Sequence, residues 1–376
     1  MITRRNALKA AALLTPPLFA PALSLARGGR NPARYQIGPF HRPSNHQPII
    51  RPDRQAVFRD PITHRLVHWQ YTHTLNPAAI AWKDKLYVLF RAEDESGHGI
   101  GQYCSRVGLA VSDDGIHFTE RPHPVLFPQP GRWEKYEWPG GCEDPRLVQR
   151  DDGEFVLTYT MWNHHLARLG VATSRDLVHW THRGPAFLTA DHGRFLNLWS
   201  KSGAIITRRI GNDVHAVKIR GRYWMYWHTR GQIYLASSPD LISWMPALDH
   251  QGKLLCVLPK NRPGCFDSWL TEPGPPALLT DQGIVFFYNG MSDGRIHHGP
   301  QIPAHRYSAG QALFAADDPA HLLHRPEEPY FWPELPWEKT GQYKAGTTFT
   351  EGLAWFKNRW FLFYGGADTV VGMAST

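Results

Sequence analysis

The sequence predicts an all-β fold, a five-bladed β-propeller, and three observations carry that expectation. The first is composition: 15 Trp, 14 Tyr and 18 Phe stand beside 33 Gly and 31 Pro in 376 residues. That mixture suits many short strands joined by tight turns and argues against a helical bundle. The second is a repeat. The segments GLAVSDDGIHF (108–118), GVATSRDLVHW (170–180), IYLASSPDLISW (233–244), GQALFAADDPAHLL (310–323) and VGMAS (371–375) each run a small-residue strand toward a turn or the chain end. Ala110, Ala172, Ala236, Ala312 and Ala374 align at steps of 62, 64, 76 and 62 residues. The third is what lies upstream of each shared segment: two more strand-like runs separated by a short gap.

Taken in chain order, these runs are 78–82 and 86–91 around Lys83-Asp84-Lys85, then 146–149 and 155–161 around Asp151-Asp152-Gly153. Next come 204–207 and 223–228, then 277–280 and 284–289 around Asp281-Gln282-Gly283, and last 352–356 and 360–364 around Lys357-Asn358-Arg359. Each repeat therefore supplies one antiparallel sheet and leaves no room for crossover helices. Five such sheets in a closed radial array hide their edges. In the recurring S-x-D turns, Asp113-Asp114, Asp176 and Asp240 are read as structural, because side-chain to backbone hydrogen bonds explain them.

The organisation expected is a signal peptide over 1–26, an N-terminal extension over 27–70 packing on the propeller, and the propeller over 71–376. Thr3-Arg4-Arg5-Asn6-Ala7-Leu8-Lys9 is a twin-arginine pattern followed by a modest apolar stretch and Ser24-Leu25-Ala26. The competing reading, an amphipathic helix, meets the helix-breaking Pro16-Pro17 pair. A twin-arginine leader implies a periplasmic or secreted protein, and no cysteine near the cleavage point indicates a lipid anchor. After residue 30 no apolar run reaches the ~18 residues of a membrane span.

The formal charge of +8 is carried by scattered basic residues without a run of five, so the footprint of a nucleic-acid binder is missing. The His164-His165 and His297-His298 pairs lack the spacing of zinc sites, and no metal or other cofactor is expected. Cys104, Cys142, Cys256 and Cys265 lack CxxC spacing; a Cys256–Cys265 bridge is open in an oxidising compartment, with isolated buried thiols as the preferred reading.

In a propeller, the residues before each innermost strand converge on a central funnel. Here they are Leu75-Asn76-Pro77, Glu143-Asp144-Pro145, Lys201-Ser202-Gly203, Glu272-Pro273-Gly274 and Gly346-Thr347-Thr348, more polar than strand starts need to be. Asp144 and Glu272 come from the second and fourth repeats and would face each other across the axis. Two carboxyls flanking a pocket are what glycosidic-bond cleavage needs, one as proton donor and one to activate water. Turn capping or pairing with a neighbour such as Arg146 is the structural alternative. Asp267 is the backup base. Trp133, Trp138, Trp162, Trp199, Trp227, Trp269 and Trp337 lie near these residues, where two or three flat faces can stack on sugar rings while the rest pack between blades. Arg91, Glu93 and Asp94 after the first repeat's second strand, and Asp368 at the matching place in the fifth, are candidates for binding hydroxyls.

At these residues the sequence resembles glycoside hydrolase family 130, the β-mannoside phosphorylases and β-mannosidases. The stretches that carry the resemblance are Asn76-Pro77-Ala78-Ala79, Arg91-Ala92-Glu93, Ser105-Arg106-Val107-Gly108-Leu109-Ala110, Gly141-Cys142-Glu143-Asp144-Pro145-Arg146 and Tyr364-Gly365-Gly366-Ala367-Asp368. The resemblance implies an inverting enzyme on mannose-containing oligosaccharides, with Asp144 as the proton donor acting through a sugar hydroxyl. By the same resemblance Asn76, Arg91, Arg106 and Asp368 line the mannose subsite. Glu93, Glu143, Lys201, His228, Asp267 and Tyr343 complete the expected substrate-binding set.

The family divides over the nucleophile. Its phosphorylases share a His-Arg pair after the third-blade strand and a Gly-Ala-Gly-Pro-type stretch in the fourth. This chain reads Tyr226-Trp227-His228-Thr229-Arg230 and Thr271-Glu272-Pro273-Gly274-Pro275. An acidic Glu272 where phosphate would approach disfavours a dianion and suits deprotonation of water. The hydrolytic branch is also similar in Phe266-Asp267-Ser268 and Tyr307-Ser308-Ala309-Gly310-Gln311-Ala312. The expected activity is therefore β-mannoside hydrolysis, and the family resemblance, rather than any single residue, implies β-1,2-linked chains. Phosphorolysis through Lys201, His228 and Arg230 is the alternative, and a non-catalytic sugar-binding propeller is the second.

Overall fold

The computed structural model describes residues 34–376 other than His298 and Lys344. The leader expected over 1–26 lies outside the described residues. The chain is all-β, with only two four-residue helices, Glu134–Glu137 and Pro336–Lys339, and a single 3-10 turn among the described residues.

The strands pair as five successive antiparallel groups. The first holds His73–Trp82, Lys85–Glu93, Ser105–Ser112 and Thr119–Glu120. The second holds Gly141–Gln149, Phe155–Trp162, Arg168–Ser174 and Thr181–Pro185. Lys201–Ile210, Arg222–Thr229, Gln232–Ser238 and Met245–Pro246 form the third. In the fourth, the inner strand is split into Leu270–Pro273 and Ala277–Thr280, followed by Gly283–Met291, Tyr307–Ala315 and Asp318–His324. The fifth has Thr348–Phe356, Arg359–Gly366 and Val370–Ser375. Its outer edge is taken by the N-terminal segment, where His41 bridges Ser375 and Ile50 bridges Val371.

Because the strands are buried on both faces, their sequences read as nearly continuous apolar runs. Alternation still decides which neighbour each side chain meets. Ile284, Phe286 and Tyr288 pack with Tyr226 and Leu235 of the third group, whereas Val285 and Phe287 pack with Leu353 and Leu362 of the fifth. Val88 and Phe90 meet Phe361 and Phe363, while Leu89 meets Leu157. The second and third groups share a core of Val156, Val171, Met225 and Trp227. Each core thus spans two consecutive groups, and the fifth group packs back on the first. The arrangement is propeller-like.

The recurring turns behave as their sequence predicts. Asp114 Oδ1 accepts the Ile116 and His117 amides, and Asp176 and Asp240 repeat the pattern with Val178, His179, Ile242 and Ser243. All four cysteines are free, and Cys104, Cys142 and Cys265 are buried.

Candidate active site

The inner strands carry a feature that aims side chains at the centre. Register breaks fall between Leu75 and Pro77, Glu143 and Arg146, Lys201 and Ala204, and Thr350 and Gly352. Asn76, Asp144 and Ser202 sit in these bulges at φ 47°, 50° and 56°. A residue there leaves the ladder and re-aims its side chain, and short polar side chains tolerate the left-handed backbone best. The following Pro77 and Pro145 have no amide to leave unpaired at the bulge.

Around Asp144 the bulges build one charged network. Asn76 Nδ2 donates to Asp144 Oδ1 at 2.8 Å and Arg91 Nη1 to the same oxygen at 3.0 Å. Arg91 Nη2 reaches Glu93 at 2.6 Å and Glu143 at 2.8 Å, and Glu93 in turn holds His73 at 2.7 Å. Burial would push the Asp144 carboxyl up, but the Arg91 and Lys201 charges and the Asn76 hydrogen bond outweigh it and hold it below the usual carboxylate range. Burial, with the charges of Asp144 and Glu93, pushes Glu143 up to about 7 against the pull of Arg91. Asp368, at φ 50°, rises to about 7 for the same reasons: burial first, then Asp144 and Glu93, against Arg91.

Glu272 occupies the other half. Lys201 Nζ lies 2.9 Å from its Oε1, and Ser202 Oγ donates to the same oxygen at 2.6 Å. Burial opposes ionisation, yet Lys201, His228 and Ser202 bring the Glu272 carboxyl down to about 2. His228, opposite Lys201 in the register, is buried with neither ring nitrogen hydrogen-bonded, and burial lowers it to about 4. Lys201 feels the charges of Glu272, Asp144 and Glu143 together, and the half-buried Tyr307 those of Glu272, Asp368 and Asp144. Tyr343 packs edge-on against Tyr307. Asp144 and Glu272 therefore border one site, with Lys201 and Tyr307 within electrostatic reach of both.

One member of this network carries no signal in the sequence. Beside the expected 346–348 stretch, whose Thr347 and Thr348 are fully buried, the fifth group contributes Glu351, at the bulge between Thr350 and Gly352. Arg146 donates to the carbonyls of Pro273, Gly274 and Asp144, so one guanidinium ties the second group to the fourth. Its Nη2 is 2.9 Å from Glu351 Oε1, but with its donors aimed at carbonyls the contact is not an aligned hydrogen bond. Burial pushes the Glu351 carboxyl well above its ordinary range despite Arg146. The folded chain thus keeps a proton that the unfolded chain releases above its ordinary pKa. That contribution to stability is complete at low pH and declines as pH rises toward the folded value, by at most about 1.4 kcal/mol per pH unit. Glu351→Gln is expected to flatten the fall in stability between pH 5 and pH 8, read by denaturant unfolding at each pH; an unchanged slope would place the charge on Glu351 in the folded state.

Two expected site residues are corrected. Arg106 is fully buried and held between Asp60 Oδ2 at 2.6 Å and Asp94 Oδ2 at 2.9 Å, so it anchors the N-terminal segment to the first group and presents no surface to a sugar. Asp267, also fully buried, takes Arg325 at 2.6 Å, Arg262 at 3.2 Å and the Tyr288 hydroxyl at 2.8 Å on Oδ2, a cluster separate from the Asp144, Lys201 and Glu272 network, so it is not placed to act as their base. Of the tryptophans, Trp227 is core and Trp133 packs on Gly184, whereas Trp199 and Trp269 are exposed. Among the described residues Glu137, Cys142 and His182 bring metal-ligand atom types within 4.8 Å, but Tyr159 and His182 already hydrogen-bond Glu137 Oε1.

An all-β, propeller-like shell whose bulged strands bring carboxylates together at one site has the form of a carbohydrate-active enzyme of the glycoside-hydrolase class. The chain belongs to glycoside hydrolase family 130: the family's sequence model, described as beta-1,4-mannooligosaccharide phosphorylase, matches residues 50–376. That match starts inside the 27–70 segment. A 1,2-beta-oligomannan phosphorylase of Thermoanaerobacter sp. (strain X514) is 30% identical over 310 residues, covering 81% of this chain and 90% of the relative. Among solved structures, one from work on family members that hydrolyse beta-1,2 mannosidic linkages in Candida mannan is 46% identical, with a TM-score of 0.88 over 91% of this chain and 95% of that one. A glycosyl hydrolase from Bacteroides ovatus is 45% identical, with a TM-score of 0.87 over 91% and 94%.

Proposed function

We propose that this protein is an exported inverting β-mannosidase, built on a five-bladed propeller, that hydrolyses β-1,2-linked manno-oligosaccharides. Asp144 is the proton donor and Glu272 the base that activates water; Asn76, Arg91, Glu93 and Asp368 hold the mannose being released. The observation that carries the reading is the position of Glu272. It already neutralises Lys201 at 2.9 Å, so the cation a phosphate would need is spent on a carboxylate. The likeness to solved hydrolases at 45% and 46% identity, against 30% for the phosphorylase, supports the same side.

The proton has a source in the network. Asp144 is ionised in the free protein, while its neighbour Glu143 holds a proton up to about 7, so the pair carries one proton at mildly acidic pH. Glu272, ionised down to about 2, sets no limit above that. The expected pH profile of kcat/KM falls on the alkaline side through about 7, and Glu143→Gln displaces that limb. An alkaline limb at the same pH in the variant would remove Glu143 from the proton's path.

Phosphorolysis is the second reading, favoured by His228, whose two ring nitrogens lack partners, and by the phosphorylase relatives. Incubation of the purified protein with β-1,2-mannobiose, with and without inorganic phosphate, separates the two. Free mannose at a phosphate-independent rate is expected. Dependence on phosphate with release of mannose 1-phosphate would transfer the assignment to the phosphorylase reading.

A further inference from the structure

Among the described residues, only two of the chain's large aromatic side chains are exposed: Trp199 at 43% and Trp269 at 54%. A tryptophan left that open forgoes a large hydrophobic gain, and a ligand can recover it. Both stand close in sequence to residues of the candidate site. Trp199 precedes the Lys201–Ile210 strand by two residues, and Trp269 directly precedes Leu270–Pro273, which carries Glu272. Two and three residues of extended backbone span at most roughly 7 and 10 Å, so the two Cα atoms lie within that reach of those of Lys201 and Glu272.

Each indole is also braced in place. Trp162 meets Trp199 edge-to-face, with centroids 5.7 Å apart at 61°, and is itself fixed by its Nε1 donating to the Gly101 carbonyl at 2.8 Å. His305 meets Trp269 at 5.5 Å and 86°, and the Trp269 amide donates to the Met291 carbonyl. An edge-on brace restricts the ring and leaves a face open, which lowers the ordering cost when a flat ligand lands on it. The segment just before Trp199 borders a cavity of about 550 Å³, lined by Phe195, Asn197, Leu198, Arg230 and Tyr234, within the size range of small-ligand sites. Arg230 sits in the hairpin that follows His228, so this cavity opens at the same end of the third group as Lys201.

We propose that Trp199 and Trp269 are stacking platforms for mannosyl units beyond the two that flank the cleaved bond, making the protein selective for chains longer than a disaccharide. The apolar face of a pyranose stacks on an indole, while hydroxyls stay free for water and for the polar groups of the adjoining cavity. The proposal rests on the β-mannoside reading above and adds chain length to it. Stacking of this kind contributes roughly 2- to 10-fold per ring in affinity.

The test compares β-1,2-mannotetraose with β-1,2-mannobiose. In wild-type protein the tetraose is expected to have the higher kcat/KM, and Trp199→Ala and Trp269→Ala each to lower the tetraose-to-biose ratio roughly 2- to 10-fold. Trp199→Phe and Trp269→Phe are expected to restore most of the ratio, whereas Trp199→Leu and Trp269→Leu, which keep apolar packing without a flat face, are not. Calorimetric binding of both sugars to Asp144→Asn protein, with and without the Trp→Ala changes, gives the same comparison without turnover. If the protein cleaves neither sugar yet binds the tetraose more tightly through the two indoles, the catalytic reading fails and the platforms stand. A ratio unmoved by either Trp→Ala change, in turnover and in binding, overturns the platforms and leaves the catalytic reading intact.

Discussion

Asp144→Asn is expected to lower turnover of an unactivated β-mannoside by about 10²- to 10⁴-fold, the range a positioned acid contributes. The substitution keeps the shape of the side chain in its bulge and an oxygen that can accept from Asn76 Nδ2 or Arg91 Nη1. Arg91 retains Glu93 at 2.6 Å and Glu143 at 2.8 Å, so its charge is not left alone in the interior. Folding should therefore survive, and the loss should appear in kcat. The measurement is steady-state hydrolysis of β-1,2-mannobiose beside a thermal melt. Activity within threefold of wild type in folded protein would strip Asp144 of the donor role. An activated aryl mannoside is the weaker probe, because its leaving group needs little protonation.

The second large effect belongs to Glu272→Gln. If Glu272 is the base, hydrolysis should drop by about 10²-fold or more, and azide should recover part of the turnover by replacing the activated water. Stability should fall as well. Lys201 is about a quarter exposed and loses its 2.9 Å partner, so the cost is smaller than that of orphaning a fully buried charge. Rates must accordingly be taken on protein shown to be folded. A phosphorylase predicts the opposite outcome: with Lys201 released beside His228, phosphate-dependent cleavage survives the substitution or improves.

Much of the fold was legible because propeller-like strands bury both faces and so repeat a simple pattern. The Ala110, Ala172, Ala236, Ala312 and Ala374 positions all fall in third strands that pair with a neighbouring strand in their own group. The site was legible where chemistry sits next to a backbone signal. Asn76-Pro77 and Asp144-Pro145 announce a break in a strand, and their side chains meet at 2.8 Å. Glu351 carries no such signal, since Thr350-Glu351-Gly352 reads as ordinary strand and only Arg146, from another group, ties it to the network. Arg106 went astray for the complementary reason. Its local motif matches a sugar-binding stretch, but its partner Asp60 lies 46 residues away in the N-terminal segment. Asp267 is claimed by Arg325, 58 residues downstream. Local sequence shows which residues can do chemistry, and long-range ion pairs decide which of them are free to do it.

In the proposed mechanism water, activated by Glu272, attacks the face opposite the leaving group. Proton NMR of β-1,2-mannobiose cleavage in phosphate-free buffer, recorded before the sugar mutarotates, tests it most directly. α-Mannose is expected as the first product, with neither its rate of release nor its identity changed when phosphate is added. β-Mannose appearing first, or α-mannose 1-phosphate formed only with phosphate, would contradict it.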